Sequence, residues 1–224
     1  MKRFSILFGI TFLAFAVLSQ TGTGAVNLTI TEKFAGAPAT GPSGVYTFDK
    51  AHTAIGFKVR HNSLIDIPGY FRDFTGTINY DAADVSKSTV EFSAKATSID
   101  TGVAPRDNHL RSKDFFEVEK FPDVTFKSTK VEKKGNSWMV TGDFTLKGVT
   151  KSITFPFNIA GFNPATERGG ARMGVTAATK FNRRDYGVNY GVAAVIADDV
   201  HVDLQIEATM PRPTPPAAPT TPKP

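Results

Sequence analysis

The sequence predicts an all-β fold, a meander of antiparallel strands interrupted by one short helical insertion around residues 106–119. Apolar side chains recur at every second position through most of the chain, which is the period of a strand with one buried face. Turn signals such as Lys134-Gly135-Asn136 separate these alternating segments. Because the 224-residue sequence has no cysteine, its stability must come from a packed core.

The first 25 residues are typical of a signal peptide. Lys2 and Arg3 precede an apolar stretch from Phe4 to Leu18, and small residues then lead to an expected cleavage after Ala25. A membrane-spanning helix needs roughly 20 apolar residues, so the length of this stretch favours cleavage over an uncleaved anchor. We therefore expect a periplasmic or secreted bacterial protein with no stable membrane anchor after processing.

Two flanking segments lie outside the alternating region. Residues 26–44 are rich in Gly, Ala, Thr and Pro, and we interpret them as a linker. Residues 210–224 form a proline-rich tail that cannot pack a core, so we expect it to be extended and disordered. The strands lie between these flanks, in residues 45–209.

The alternating segments define eight strands, each with one apolar and one polar face. They are expected near residues 55–59, 74–80, 90–96, 124–131, 138–146, 153–159, 173–181 and 200–208. Because the apolar faces must meet, the strands predict a closed barrel or a sandwich. Pro156 has no N–H group to donate, and it therefore predicts a sheet edge or a bulge within its strand.

The segment 106–119 lacks the alternation of its neighbours. Leu110, Phe115, Phe116 and Val118 are expected to line one side of a short helix there. This helix would interrupt the meander between the third and fourth of the predicted strands.

The number of strands leaves the interior of a barrel undecided. Eight strands make a barrel that is either filled by its side chains or hollow enough for one small ligand. Fifteen of the 19 phenylalanines follow Ala25, and they suit both alternatives. If the barrel is hollow, six inward aromatic side chains are candidates for the apolar wall. They are Phe57, Phe92, Trp138, Phe144, Phe155 and Phe157.

Several function classes find no support in the sequence. It has no Gly-x-Ser-x-Gly motif, no phosphate-binding glycine loop and no His-Glu-x-x-His motif, so we expect no catalytic residues, no cofactor and no enzyme. The four histidines are scattered, without the close pairs typical of zinc sites, so no metal is expected. The net charge of +5 comes from cations interleaved with acids, which argues against a nucleic-acid partner.

Clusters of charge lie at strand ends, where a barrel has its mouth or its base. Four cations in these clusters are candidates for binding the polar or anionic head of a ligand. They are Arg106, His109, Arg183 and Arg184. The alternative is structural, with Asp49, Asp107 and Asp185 pairing with the cations to tie strand ends together.

Six ordered segments carry a family resemblance. They are Tyr46–Phe57, Gly69–Gly76, Arg106–Phe116, Phe121–Phe126, Gly142–Thr150 and Asn182–Gly187. Through them, residues 45–209 resemble the YceI-like family of exported bacterial proteins. The resemblance implies an eight-stranded, lipocalin-like antiparallel barrel, usually dimeric, whose tunnel holds a polyisoprenoid or another long-chain amphiphile. It provides no catalytic residues, and it does not cover the linker or the tail.

Three functional hypotheses follow. The first is an exported binder or carrier of an isoprenoid-type lipid, with the apolar chain inside the barrel and the head near the charged rim. The second is an accessory protein or enzyme acting on a bound isoprenoid quinone. The third is a structural β-module with a solid core, which would have no room for a lipid.

Overall fold

The computed structural model describes residues 40–166 and 169–212. The predicted signal peptide, linker residues 26–39 and tail residues 213–224 lie outside the described residues. One α-helix and eleven strands are present in the described part. They are β1 (Gly44–Phe48), β2 (Ala54–His61), β3 (Ile65–Phe71), β4 (Phe74–Tyr80), β5 (Thr89–Lys95), β6 (Ile99–Asp100), α1 (Ala104–Arg111), β7 (Asp123–Lys134), β8 (Ser137–Leu146), β9 (Val149–Asn163), β10 (Arg172–Asn182) and β11 (Ile196–Thr209).

The strands close into an eight-stranded antiparallel barrel, as predicted. β1 and β2 follow the same edge of β11, where Phe48 pairs with Ala208 and Ala54 pairs with Gln205. In the same way, β3 and β4 together form one strand of the barrel, and β5 and β6 together form another. The eleven strands therefore make eight barrel strands, three of which consist of two consecutive segments. The pairing of β1 with both β4 and β11 closes the barrel.

The eight strands expected from alternation are all present, and the structure adds β1, β3 and β6. β3 contains Pro68 and Gly69, which interrupt its apolar pattern, and β6 has only two residues. β1 begins at Gly44, the last residue of the predicted linker, and the Tyr46 hydroxyl donates to the Pro42 carbonyl at 2.8 Å. The end of the linker therefore packs on the barrel.

The predicted helical insertion is present, but its bounds differ from residues 106–119. α1 begins at Ala104, with Pro105 in its first turn, where a missing N–H leaves no helical hydrogen bond unmade. It ends at Arg111, and the chain then forms hydrogen-bonded turns. Phe115 and Phe116 therefore lie beyond the helix, although they pack in one cluster with Leu110 as expected.

Pro156 lies at a break in the barrel wall. The ladder between β9 and β10 ends at the pair Phe157–Ala177, so residues 149–156 of β9 pair with β8 alone. A residue without an N–H group is tolerated at such an edge, which confirms the edge expected from the sequence. Residues 178–182 of β10 likewise pair with β11 alone.

The two ends of the barrel differ. At one end, which we call the helix end, lie α1, the β2–β3 hairpin and the long β10–β11 connection. At the opposite end, Tyr46, Tyr80 and Phe162 are buried against one another, with ring centroids 5.0–6.3 Å apart. Burial raises the pKa of both tyrosines. Their packing closes this end of the barrel.

Within the described residues, no helix is long and apolar enough to cross a membrane.

Candidate ligand-binding cavity

The barrel is hollow. A cavity of about 570 Å³ runs along its interior, within the range of small-molecule binding sites. All eight barrel strands and α1 contribute to its wall, which is mostly aliphatic and aromatic. The solid-core alternative is therefore wrong for this chain.

Five of the six predicted wall residues line the cavity, and one does not. Those on the wall are Phe57, Phe92, Phe144, Phe155 and Phe157. Trp138 pairs with Phe157 across β8 and β9 and packs against a buried cluster that includes Val131 and Val140, without reaching the wall. Its place beside the β7–β8 turn, near the closed end, accounts for the difference.

Sequence reasoning missed other aromatic side chains of the wall. They include Phe71, Phe115, Phe116, Phe126, Phe181 and Tyr190. Phe126 and Phe181 lie in strands that alternation had located, so their inward position was available from the pattern. Tyr190 lies in an irregular loop, where no period indicates which side chains turn inward.

A glycine allows one ring of the wall to lie close to the backbone of its neighbouring strand. Gly69 of β3 pairs with Phe57 of β2. A Cβ atom on Gly69 would be 2.3 Å from the Phe57 Cζ atom, which is far inside van der Waals contact. Gly69 therefore provides the space that the Phe57 ring occupies.

The cavity opens at the helix end. Four exposed side chains of its wall lie there, and only Thr89 among the exposed wall residues lies nearer the opposite end. The four are Arg60, His61, His109 and Tyr190. The β2–β3 hairpin, α1 and the β10–β11 loop thus surround a mouth.

The charged part of the wall is cationic. Arg60, Arg106 and Arg183 line it, whereas no aspartate or glutamate among the described residues does. Arg60 faces Asp66 at 2.9 Å. This charge distribution favours a ligand whose polar group is anionic or rich in acceptor oxygens.

Arg106 is held in place without a carboxylate partner in the described part of the chain. Its Nε donates to the Thr101 hydroxyl and its Nη2 to the Thr101 carbonyl, both at 2.7 Å. The Thr101 hydroxyl donates in turn to buried Asp107 at 2.5 Å. The guanidinium is therefore positioned by neutral oxygens, and its charge is not neutralised by an ion pair.

Arg183 has a different role from the predicted one. It is 3% exposed, and its five N–H donors all have acceptors, which leaves none for a ligand head group. The acceptors are the carbonyl oxygens of Val188 (2.8 Å), Tyr190 (2.7 Å), Ile196 (3.0 Å) and Ala197 (3.1 Å) and the carboxylate of Asp198 (3.1 Å). Burial and then the neighbouring Arg184 lower the pKa of Arg183, and Asp198 opposes them. Arg183 holds the β10–β11 loop against the barrel.

Arg184 is not part of the cavity wall. Its Nε donates to Asp198 and its Nη2 to the Gly191 carbonyl, both at 2.7 Å. Both arginines of the loop thus make contacts of the kind that the structural alternative describes, but their carboxylate partner is Asp198 and not Asp185. Asp185 instead faces Lys151 at 3.7 Å.

His109 lies at the mouth, with its Nε2 atom 2.9 Å from Asp114. Its ring meets Phe115 and Tyr190 edge-on, at centroid distances of 5.0 and 4.8 Å. The imidazole thus joins α1 to the β10–β11 loop.

Three aromatic rings cover the break between β9 and β10. Phe144, Phe181 and Tyr186 lie within 5.2–5.3 Å of one another. Burial and then Asp185 raise the pKa of Tyr186. Side-chain packing thus seals the wall where the backbone ladder is absent.

One group outside the cavity has the composition of a metal site. Ligand atoms of Asp49, His52 and Glu207 lie within 4.8 Å of one another on the barrel exterior. Each is already paired, since His52 Nδ1 lies 2.8 Å from Asp49 and Glu207 lies 3.5 Å from Arg172. The hydrogen bond that His52 donates to the Asp49 carboxylate raises the pKa of His52.

Comparison with known proteins identifies the family. The YceI-like domain model matches residues 46–208. This chain belongs to the YceI-like family. Among its relatives is a UPF0312 protein of Shewanella sp. (strain ANA-3), which is 39% identical over 174 residues, covering 76% of this chain and 90% of the relative. A UPF0312 protein of Photorhabdus laumondii is 39% identical over 135 residues, covering 60% of this chain and 70% of the relative.

Solved structures share the barrel. A Campylobacter jejuni YCEI protein is 32% identical, with a TM-score of 0.62 and coverage of 75% of this chain and 98% of that one. Burkholderia cenocepacia BcnA is 23% identical, with a TM-score of 0.65 and coverage of 72% and 99%. A polyisoprenoid binding domain from Saccharophagus degradans is 17% identical, with a TM-score of 0.58 and coverage of 76% and 100%. The YceI-like barrel is thus shared with a structure described as a polyisoprenoid binder.

Proposed function

We propose that this YceI-like protein is an exported binder or carrier of a long-chain apolar molecule, of the polyisoprenoid type. The observation that carries the proposal is the cavity, which is apolar along its length, open at the helix end and closed opposite. Burying a hydrocarbon chain there is favourable by about 0.8 kcal/mol per methylene group, before the costs of association. The proposed export rests on the signal peptide predicted at residues 1–25.

The volume of the cavity limits the length of chain that it encloses. A water molecule occupies about 30 Å³ in the liquid, and a methylene group is of similar size. A cavity of about 570 Å³ therefore holds on the order of 20 chain carbons. A longer polyisoprenoid would leave its remaining units at the mouth.

The direction of the ligand follows from the polarity of the wall. Toward the closed end, the wall consists of apolar side chains and Tyr80, with Ser88 and Thr89 as its other polar residues. Arg60 and Arg106 lie toward the mouth. The polar head of an amphiphile would therefore lie at the helix end. Arg106 is the best-placed contact, because it lacks a carboxylate partner among the described residues.

The test begins with the protein purified as its host cell processes it. Lipids released on denaturation are identified by mass spectrometry, and the delipidated protein is titrated with prenyl alcohols, prenyl phosphates and ubiquinone. We expect a prenyl-type lipid to co-purify and at least one class to rebind. Absence of released lipid together with failure of every class to rebind would contradict the proposal.

A matched pair of variants links binding to the cavity. Ala177 faces the interior between Phe157 and Leu204, whereas the next residue, Ala178, is exposed on the outer face. Ala177→Phe would fill part of the cavity and lower lipid uptake, and Ala178→Phe would not. Equal uptake by the two folded variants would place the ligand outside the barrel.

A further inference from the structure

Exposed apolar side chains gather around the mouth of the cavity. Of the eight large hydrophobic residues that are exposed in the described part of the chain, six belong to the three segments that surround the mouth. We call these six the apolar rim. They are Leu64 (74% exposed) and Ile65 (59%) in the β2–β3 hairpin, Val103 (45%) before α1, and Tyr190 (46%), Val192 (65%) and Val195 (41%) in the β10–β11 loop.

The rim is joined to the cavity and held by backbone contacts. The Asn62 N–H donates to the Val195 carbonyl at 2.8 Å, which ties the hairpin to the loop. Tyr190 belongs to both the rim and the cavity wall, where its ring packs on Phe115 at 5.0 Å. Apolar surface therefore continues from the interior of the barrel onto the outside of its mouth.

The five aliphatic side chains of the rim belong to none of the buried hydrophobic clusters. A valine or leucine at 41–74% exposure adds little to folding stability, and a cluster of such residues reduces solubility. Clustered exposed apolar residues beside a pocket mark an interaction surface.

Basic side chains flank the rim. Lys58 and Arg60, on the β2 side of the hairpin, share the single carboxylate of Asp66 at 3.4 and 2.9 Å. Exposed His61 precedes the hairpin tip. Acidic residues are also present at this end, in the turn after α1, where Asp114 faces His109. The hairpin tip itself presents aliphatic residues with a surplus of cations behind them.

We propose that the apolar rim docks the mouth of the cavity onto a lipid bilayer that contains anionic lipids. Aliphatic residues with basic residues behind them suit the head-group region of such a bilayer. The rim is a small surface formed by the tips of three segments, and its side chains can insert between lipid head groups. A protein partner of standard size would instead need about 800 Å² of continuous complementary surface.

The proposal rests on the proposed function and deepens it. A long apolar ligand that leaves the cavity into water loses the free energy of its burial. A mouth seated on a bilayer lets the ligand pass between two apolar environments, so docking would accelerate exchange with a membrane. It would not change the affinity of the cavity for a ligand already in solution.

The test compares two variants in the processed protein. Leu64→Ser combined with Val192→Ser removes the two most exposed rim side chains, and Val45→Ser removes a 50% exposed valine of β1 at the opposite end. Binding is measured by co-sedimentation with vesicles of phosphatidylcholine and phosphatidylglycerol. We expect the rim variant to lose about tenfold in partitioning, from the apolar surface removed, and the control to match the wild type.

Two further readouts separate this proposal from the proposed function. Uptake of farnesol from ethanol solution should be unchanged in the rim variant, while transfer of farnesol from vesicles should slow. If neither the wild type nor the variants take up farnesol but vesicle binding still depends on the rim, then the carrier function fails and docking stands.

Equal vesicle binding by the rim variant and wild type, or no binding by either, would overturn docking. Loss of a concentration-dependent dimer in the rim variant, without vesicle binding, would assign the rim to a second copy of the chain.

Discussion

Arg106 and Arg183 line the same cavity near its mouth, but they use their hydrogen-bond donors differently. Every N–H group of Arg183 has a protein acceptor, and four of the five acceptors are backbone carbonyls. Arg106 donates only to Thr101. The first arrangement stabilises a loop, and the second leaves a guanidinium with capacity for a ligand.

We expect Arg106→Gln to weaken binding of a prenyl phosphate and to leave binding of the matching prenyl alcohol nearly unchanged. A hydrogen bond to a charged group contributes about 1.5–3 kcal/mol, which corresponds to a loss of roughly tenfold or more for the phosphate. Parallel titrations of the two ligands by fluorescence displacement provide the measurement. An equal loss for both ligands would mean that Arg106 shapes the mouth and does not contact the head group.

Arg183→Lys should destabilise the fold. A lysine ammonium cannot reach five acceptors spread over the loop, so buried carbonyls and Asp198 would lose their donor. We expect a loss of about 3 kcal/mol in the free energy of unfolding by urea. Arg172→Lys is the matched control, because Arg172 is exposed and lies 3.5 Å from Glu207, and it should cost less than about 1 kcal/mol. Similar costs for both variants would contradict the loop-holding role of Arg183.

Among the secondary-structure elements, β9 and β10 are long strands that pair with each other along only part of their length. Their ladder covers residues 157–163 of β9 and stops beside Pro156. Beyond it, the rings of Phe144, Phe181 and Tyr186 cover the gap. β8, by contrast, pairs with β7 and β9 along almost its whole length.

Hydrogen exchange should detect this junction. Residues 149–156 of β9 and 178–182 of β10 each pair with a neighbour on one side only. In these segments, every second amide points away from the paired strand and has no ladder acceptor, so it should exchange fast. The amides between them donate to the paired strand and should be protected. β8 serves as the internal control, because it is paired on both sides. Site-resolved exchange by NMR tests the alternation. Uniform protection along both segments, equal to that of β8, would show that the ladder closes in solution.

For the whole molecule, the closed end and the cavity volume together set the length of chain that the barrel encloses. We expect affinity for prenyl alcohols to rise with length up to on the order of 20 carbons and then to level off, because additional units remain outside the wall. Titrations from geraniol to solanesol measure this dependence.

The same matched variants test where the limit arises. Ala177→Phe should move the plateau to shorter alcohols, whereas Ala178→Phe should leave it in place. Affinity that continues to rise through solanesol in the wild type would mean that the ligand extends along an outer surface.

The barrel could be predicted from the sequence because a strand has a strict period of two. Each of the eight alternating segments forms a strand, and inward residues such as Phe155 and Phe157 line the cavity. The same period does not say how far along the barrel a side chain lies. Trp138 therefore shared the inward pattern without reaching the wall.

The residues around the mouth were the hardest to predict, because irregular segments have no period. The pairing of Arg183 and Arg184 with Asp198, and not with Asp185, depends on how the β10–β11 loop folds back over β11. The six residues of the apolar rim come together from segments far apart in sequence. Only the folded chain shows them as one surface.

The sequence by itself determined the all-β class, the strand positions and the family, because alternation and ordered motifs are local features of the chain. Only the tertiary structure decided that the barrel is hollow, that it opens at the helix end, and that Arg106 keeps capacity for a ligand while Arg183 does not. The first two properties depend on the volume left between packed side chains, and the third depends on which hydrogen-bond acceptors folding brings close to each arginine. No short segment of the sequence contains this information.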